Sequence, residues 1–272
     1  MTNANPRLNK IDRHSRIVSE LRATPSLRVN DLSARLAVST ETIRRDLAEL
    51  DEAGKISRTY GGATSTMLHE PGVAIRETQM VTERRIIAEA AVRMVDPNDI
   101  LMIGGGATTL HFARNLANTL DHLTVITHSF SIAAALAVNS SHKVLMLPGL
   151  YDGREGLIHG PDTIEALQKF HAAKAFLGAS GLTSEGPNDA GLGPGLVYGA
   201  MMRRSARSII LADHGKFGNP SLTVYGSWSP ATSLVTDMTL PGALAAALDE
   251  AGTNVVIAGS GQNLKLESRV SG

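Results

Sequence analysis

The sequence contains no cysteine, which excludes disulfides and any thiolate metal site. Aromatic residues make up only 4% of it, so a core must be built from Leu, Ile, Val, Ala and Met. Net charge is absent as well, with 26 Lys and Arg against 26 Asp and Glu. Taken alone, that balance speaks against a nucleic-acid-binding protein. The longest Ala-rich apolar run, Ile132–Val138, is too short to span a bilayer. Met1–Asn9 is polar and has no apolar stretch of the secretory-signal kind, so the expected location is the cytoplasm.

What is present suits two domains: 272 residues, 43% hydrophobic and 19% charged, an ordinary globular composition. Charge is unevenly shared. Residues 1–62 hold 11 Lys and Arg against 8 Asp and Glu, and residues 63–272 hold 15 against 18. A slightly basic small module therefore precedes a slightly acidic larger one, as in a DNA-facing unit joined to a partner domain.

In residues 1–62 the spacing predicts a helix over Asp12–Arg22, with Ile17 and Leu21 on one face, broken at Thr24-Pro25-Ser26. A short helix over Asp31–Leu36 follows, capped by Asn30, then a turn at Ala37-Val38. Ser39 can cap a third helix running to about Ala53, which Gly54 would stop. Lys55–Tyr60 alternates like a strand and ends at Gly61-Gly62. This order describes a winged helix-turn-helix. In the third helix Ile43, Leu47 and Leu50 share the buried stripe, leaving Glu41 and Arg45 outward with Thr42 and Arg44 beside them. Arginine can bind guanine O6 and N7 or a phosphate, and threonine can touch a thymine methyl, as a helix entering the major groove requires. A lone Arg-Arg pair is more often a solvated face; the complete arrangement favours DNA.

Residues 63–81 read as a linker and 259–272 as a flexible tail. Between them, Thr82–Val95 is expected to be a helix with Glu83, Arg84 and Arg85 solvated. Apolar strands then alternate with helices. The strands are expected at Ile100–Ile103, Thr124–Thr127, Lys143–Leu147, Ala173–Gly178, Ser208–Ala212, Ser233–Thr236 and Asn254–Ala258. The helices are expected at Thr108–Thr119, Ser131–Asn139, Asp162–Phe170, Gly199–Ala206 and Gly242–Ala251. Unpunctuated apolar strands between helices imply an α/β domain over 82–258 with an open, mostly parallel sheet covered on both faces.

In such a sheet ligands bind beyond the C-terminal ends of the strands. Four loops stand there: Gly104-Gly105-Gly106-Ala107-Thr108-Thr109, Thr127-His128-Ser129, Gly178-Ala179-Ser180-Gly181 and Ala212–Gly218 with Lys216. Glycine backbone, hydroxyls and a helix N-terminus favour an anion, and Lys216 reads as its counter-charge. The Gly-rich turn alone is a weak signal, since close chain packing explains it as often. His128 or His214 could move a proton, yet an isolated loop histidine is more often a hydrogen-bonding or surface group. No His, Asp or Glu cluster has metal spacing, no cofactor is expected, and Ser180 has no visible base that would make it a nucleophile.

The run Leu32-Ser33-Ala34-Arg35-Leu36-Ala37-Val38-Ser39-Thr40-Glu41-Thr42-Ile43-Arg44-Arg45-Asp46-Leu47, followed by Leu50, Gly54, Arg58 and Gly61-Gly62-Ala63, resembles the DeoR/GlpR family of bacterial repressors. The four loops also resemble that family's C-terminal sensor, so the likeness covers roughly residues 12–258. It implies that Ser39, Thr40, Arg58, Tyr60 and Gly61 join Thr42, Arg44 and Arg45 in facing DNA. It also implies a sensor fold similar to ribose-5-phosphate isomerase and the CoA-transferases, holding a phosphorylated sugar or polyol. The effector residues would be Gly105, Gly106, Thr108, Thr109, Thr127, His128, Ser129, Ser180, Asp189 and Lys216. Departures are plain: Gly104, His128 and Ser180 stand where the family has Asp, Asn and Asp, and Pro187–Gly195 replaces a segment that usually carries Glu and Lys. A homo-oligomer is expected, because a helix-turn-helix of this size covers too little DNA by itself. The other reading is a sugar-phosphate isomerase or transferase with an attached DNA-binding domain. Ser180 in place of an acid disfavours it, while Asp189 and Asp213 keep a general base conceivable.

Overall fold

A computed structural model describes residues 9–23, 26–52, 55–59, 61–65 and 71–259. Tyr60, Gly54 and the tail beyond Gly259 lie outside the described residues. The chain forms two compact units, Met1–Pro71 and Gly72–Gly272.

The first unit runs α1 (Lys10–Ala23), β1 (Ser26–Arg28), α2 (Val29–Leu36), α3 (Thr40–Glu52), β2 (Ile56–Thr59) and β3 (Gly62–Ser65). Ile17, Leu21, Leu32, Leu36, Ile43, Leu47 and Leu50 close on one another with Leu27, Ile56 and Ala63, so each helix buries its apolar stripe and the wing covers the end. Ala37, left-handed at φ 54°, turns the chain between α2 and α3. Three expectations change. The start of α2 is held by the Asp31 carboxylate, which accepts from the Arg28 N–H at 3.2 Å, and not by Asn30, which lies inside the helix. Of the break expected at Thr24-Pro25-Ser26, Thr24 and Pro25 lie outside the described residues and Ser26 opens a strand, β1. Residues 63–65 belong to the wing: β3 pairs antiparallel with both β1 and β2, the chain turning back between Thr59 and Gly62, which face each other. Gly62 is needed there, as a methyl group would lie 2.1 Å from the Leu27 carbonyl oxygen.

The second unit begins with α4 (Val73–Arg76), inside the expected linker, and α5 (Val81–Val92). It continues with β4 (Ile100–Ile103), α6 (Ala107–Thr119), β5 (Thr124–Thr127), α7 (Phe130–Leu136), β6 (Lys143–Met146), β7 (Leu150–Asp152), β8 (Leu157–His159), α8 (Pro161–Leu167) and β9 (Ala172–Gly178). Then come β10 (Gly181–Leu182), β11 (Pro187–Asp189), α9 (Leu192–Arg203), β12 (Ser205–Leu211), β13 (Thr223–Val224), β14 (Thr232–Thr236), α10 (Gly242–Glu250) and β15 (Asn254–Ile257). Seven strands form one parallel sheet in the order β15-β14-β12-β9-β4-β5-β6. Leu101, Ile103, Phe176 and Ile209 face a core with α5, α6 and α7, while Met102, Leu177 and Ile210 face another with α8, α9 and α10. Burial on both faces is why these strands read as continuous apolar runs.

Here α9 starts seven residues before the expected Gly199. Gly193-Pro194-Gly195 looks like a loop, but a proline in the first helical turn has no carbonyl to serve and fits. The glycines allow close contact: a methyl on Gly193 would meet the His159 ring at 2.5 Å, and one on Gly195 the Thr223 side chain at 2.9 Å. The β7–β8 hairpin and the small β10-β11-β13 sheet, too short to show a period, were not expected.

Candidate functional site

In the first unit, Ser39 caps α3, its hydroxyl accepting from the Thr42 N–H at 3.2 Å and lying 2.8 Å from the Thr42 hydroxyl. These two hydroxyls engage each other, while Glu41, Arg44 and Arg45 are exposed and Thr40 is half-buried. Arg44 makes only a loose ion pair with Glu41 at 3.7 Å. On the wing Arg58 is exposed, its N–H tied to Asp51 at 2.9 Å, and Gly61 is exposed, its carbonyl accepting from the Val29 N–H at 3.0 Å.

Between the two arginines and the core lies a residue that periodicity leaves unassigned. Asp46 is only 2% exposed. Arg13 of α1 grips it with Nε at 2.5 Å and Nη2 at 2.8 Å, and His14 Nε2 approaches to 3.1 Å. Burial pushes the Asp46 carboxyl up, but Arg13 and His14 outweigh it and hold it below its ordinary value. This clamp sets α3 against α1. No local pattern announces it, because the partners stand 33 residues apart.

In the second unit the four loops follow β4, β5, β9 and β12, which are neighbours in the parallel sheet, so they meet at one edge. Much of their polar chemistry is turned inward. His128 is fully buried and its pKa is pushed down to about 4 by burial, so the ring is neutral. Its Nδ1–H donates to the Ile158 carbonyl at 2.6 Å and its Nε2 accepts from the Gly105 N–H at 3.1 Å. The Thr109 hydroxyl donates to Gly106 O at 3.0 Å and that of Thr127 to Ile103 O at 2.7 Å, and both residues are fully buried. Ser129 is 1% exposed and shares a hydrogen bond with Ser131. Tyr198 donates to Gly105 O at 2.8 Å, edge-on to His128. A methyl on Gly104 would stand 2.7 Å from that tyrosine ring, so the glycine makes room for Tyr198. Gly105, Thr109, Thr127, His128 and Ser129 are thus buried and hydrogen-bonded within the loops.

Gly106, Ser180, Asp189 and Lys216 keep part of their surface, and Thr108 a little. Ser180 accepts from the Ala190 N–H at 3.1 Å and Asp189 from the Gly191 N–H at 2.8 Å. Lys216 sits in a 3-10 turn, His214–Lys216, built by two carboxylates. Asp213 accepts from the Gly215 N–H at 3.1 Å, and Asp237 takes the His214 N–H at 2.7 Å and its Nδ1 at 2.5 Å. That hydrogen bond holds His214 above the usual histidine range. Behind the turn stands Arg84, 3% exposed where solvation was expected, with Nη2 3.6 Å from Asp213 and Nη1 donating to Gln79 O at 2.7 Å. Asp213 is therefore a structural partner and poorly placed as a general base. Among the described residues no group of three or more His, Asp or Glu could hold a metal ion.

The His128 arrangement has a pH signature. The unfolded chain takes the proton near the ordinary value and the folded one near 4, so stability is full above about pH 7 and falls as the pH drops through this window. The expected loss is about 3 kcal/mol in full, about 2 kcal/mol of it by pH 5. Urea melts at pH 7 and pH 5 check it: His128→Gln should flatten the difference, and an unchanged slope refutes the assignment.

Two family models match the chain: the DeoR-like helix-turn-helix domain over residues 13–69 and the DeoR C-terminal sensor domain over residues 79–238. An uncharacterised HTH-type transcriptional regulator of Bacillus subtilis (strain 168), YulB, is 31% identical over 242 residues, 88% of this chain and 93% of its own. The putative aga operon transcriptional repressor of Escherichia coli O157:H7 is 29% identical, covering 91% and 94%. The glycerol-3-phosphate regulon repressor of Escherichia coli (strain K12) is 27% identical, covering 86% and 93%. Among solved structures, ribose-5-phosphate isomerase A of Methanocaldococcus jannaschii is similar over 52% of this chain and 56% of its own, at a TM-score of 0.39 and 16% identity. With both halves matched in order, each on the unit the geometry had set apart, this chain belongs to the DeoR family of transcription regulators.

Proposed function

We propose that the protein is a repressor that binds operator DNA through α3 and the wing, in the cytoplasm, and answers to a phosphorylated sugar or polyol held by the second unit. The observation that carries the DNA half is the outer face of α3, where Arg44 and Arg45 stand exposed beside a capped helix start. The aga and glycerol-3-phosphate names of two relatives support a carbohydrate operon. For the effector, the geometry favours a smaller set than the loops suggested: the backbone of Gly106 at the start of α6, Thr108, Ser180, Asp189 and Lys216. Of the two carboxylates on which the enzyme reading rests, Asp213 is engaged in shaping the Lys216 turn, while Asp189 accepts from the Gly191 N–H and keeps part of its surface.

Arg45→Ala is expected to lower operator affinity by about 1–3 kcal/mol, read in gel shifts on a duplex from upstream of its own gene and on random duplex. Equal affinity for mutant and wild type ends that assignment. Lys216→Ala is expected to weaken effector binding by about ten- to a hundredfold while DNA binding stays intact. Calorimetry with a sugar phosphate and its unphosphorylated parent decides it, and equal binding of the two sugars would sink the phosphate reading.

A further inference from the structure

Two buried charges tie the Lys216 turn to the start of the second unit. Arg84 and Asp213 are 3% and 2% exposed. Arg84 Nη2 stands 3.6 Å from the Asp213 carboxylate, close enough to neutralise it but too far for a hydrogen bond, and Oδ2 of that carboxylate has no hydrogen bond among the described residues. Oδ1 builds the turn by accepting from the Gly215 N–H. On its other side Arg84 Nη1 donates to the carbonyls of Arg76 and, at 2.7 Å, Gln79. Both carbonyls belong to residues 72–79, with which the second unit opens. The tip of the β7–β8 hairpin grips the same stretch, Glu155 pairing with Arg76 and Arg154 O accepting from the Val73 N–H at 3.4 Å. The stretch ends at Met80, left-handed at φ 49° and ψ 38°, a conformation that residues with a side chain disfavour.

We propose that Arg84 couples the effector loops to the segment that joins the two units along the chain; this rests on the repressor reading above. A charge buried this deeply cannot be left without its counter-charge, because the attraction of the partner is what offsets its desolvation. When the Lys216 turn moves, Asp213 moves with it and Arg84 must follow. An approach of about 0.7 Å makes the missing hydrogen bond, and a retreat strips the guanidinium of its counter-charge. Either shift is passed to the Arg76 and Gln79 carbonyls, since one rigid fork holds all three groups. Met80 keeps its disfavoured backbone only while that hold lasts, so residues 72–80 have two arrangements, clasped and released. What binds beside Lys216 therefore alters the clasp, and by linkage DNA bound to the first unit alters the Lys216 turn.

Hydrogen exchange followed by mass spectrometry on the full chain tests this with no effector present. A duplex from upstream of its own gene is either added to saturation or left out. The Glu77 and Gln79 N–H groups bond to Val73 O at 2.9 Å and Arg76 O at 3.1 Å, so release of the clasp speeds their exchange. Without DNA, Asp213→Asn keeps an acceptor for Gly215 and removes the charge. It is expected to speed exchange in residues 72–79 about fivefold or more, with residues 168–172 before β9 unchanged. In wild type the duplex is expected to change exchange in residues 213–219 by a similar factor. In Arg84→Lys, which keeps the charge and loses the fork, the duplex should leave those residues unaffected. Arg84→Lys also stands in for Asp213→Asn in the first comparison if the latter does not fold. Faster exchange confined to residues 213–219 shows a purely local role and overturns the proposal. So does a wild-type turn that ignores bound duplex, or an Arg84→Lys chain that responds as wild type does. A wild type that binds no duplex removes the repressor reading, and the exchange of residues 72–79 then decides the clasp alone.

Discussion

Asp46→Ala is expected to destabilise the N-terminal unit by about 3–5 kcal/mol, enough to unfold much of a unit this small. The carboxylate is 2% exposed, and its removal takes from the Arg13 guanidinium, whose side chain is 14% exposed, the acceptor of two of its hydrogen bonds. The cost lies mainly in breaking a buried ion pair from one side only. A swap of both partners for apolar residues, Arg13→Met with Asp46→Leu, should therefore cost much less than the single change. Because Arg13 and His14 hold the folded carboxyl below its ordinary value, the clamp's contribution is complete above the unfolded pKa. It is lost as the pH falls through the folded one. Denaturant melts of the full chain followed by far-UV circular dichroism measure all three, with gel shifts reporting the loss of a correctly set α3. A single variant as stable as wild type would show that the clamp is ornamental.

Placing an acid at position 104 is the second large effect. Gly104→Asp places a Cβ 2.7 Å from Tyr198 Cε1 and 3.0 Å from Leu177 Cδ2, and sends a carboxylate into a fully packed edge. Overpacking and the unpartnered polar group together should cost about 3–5 kcal/mol. The tyrosine cannot yield easily, being 3% exposed and tied by its hydroxyl to Gly105 O. Trimming it should help: Gly104→Ala/Tyr198→Ala is expected to lose less than the two single changes added together, a coupling typical of residues in contact. Strict additivity in thermal melts would mean that the two positions do not interlock. The packing of Tyr198 and Leu177 around Gly104 thus leaves no room for an acidic side chain at this position.

The seven sheet strands were legible because each is an apolar run with turn residues at both ends, and the recognition helix because Ile43, Leu47 and Leu50 repeat at helical spacing. The start of α9 was not legible, since Gly193-Pro194-Gly195 has loop chemistry and becomes helical only through contact with His159 and Thr223. Arg84 was read as solvated because α5 shows charge on two sides; its burial depends on the Asp213 turn, which a single helix cannot reveal.

By itself the sequence determined the two-part plan, the winged helix-turn-helix and its outward arginines, the parallel sheet and the edge at which its loops collect. All of these follow from local periodicity, capping and turn chemistry. Only the tertiary structure decided which loop residues are buried against one another and which keep surface. Gly105 and His128 saturate each other across 23 residues, Tyr198 closes on Gly105 from 93 residues away, and Arg13 reaches Asp46 across 33. A polar side chain carries the same letter whether it faces water or a buried partner. Which of the two it does is set by desolvation and pairing, and those exist only once distant segments have packed.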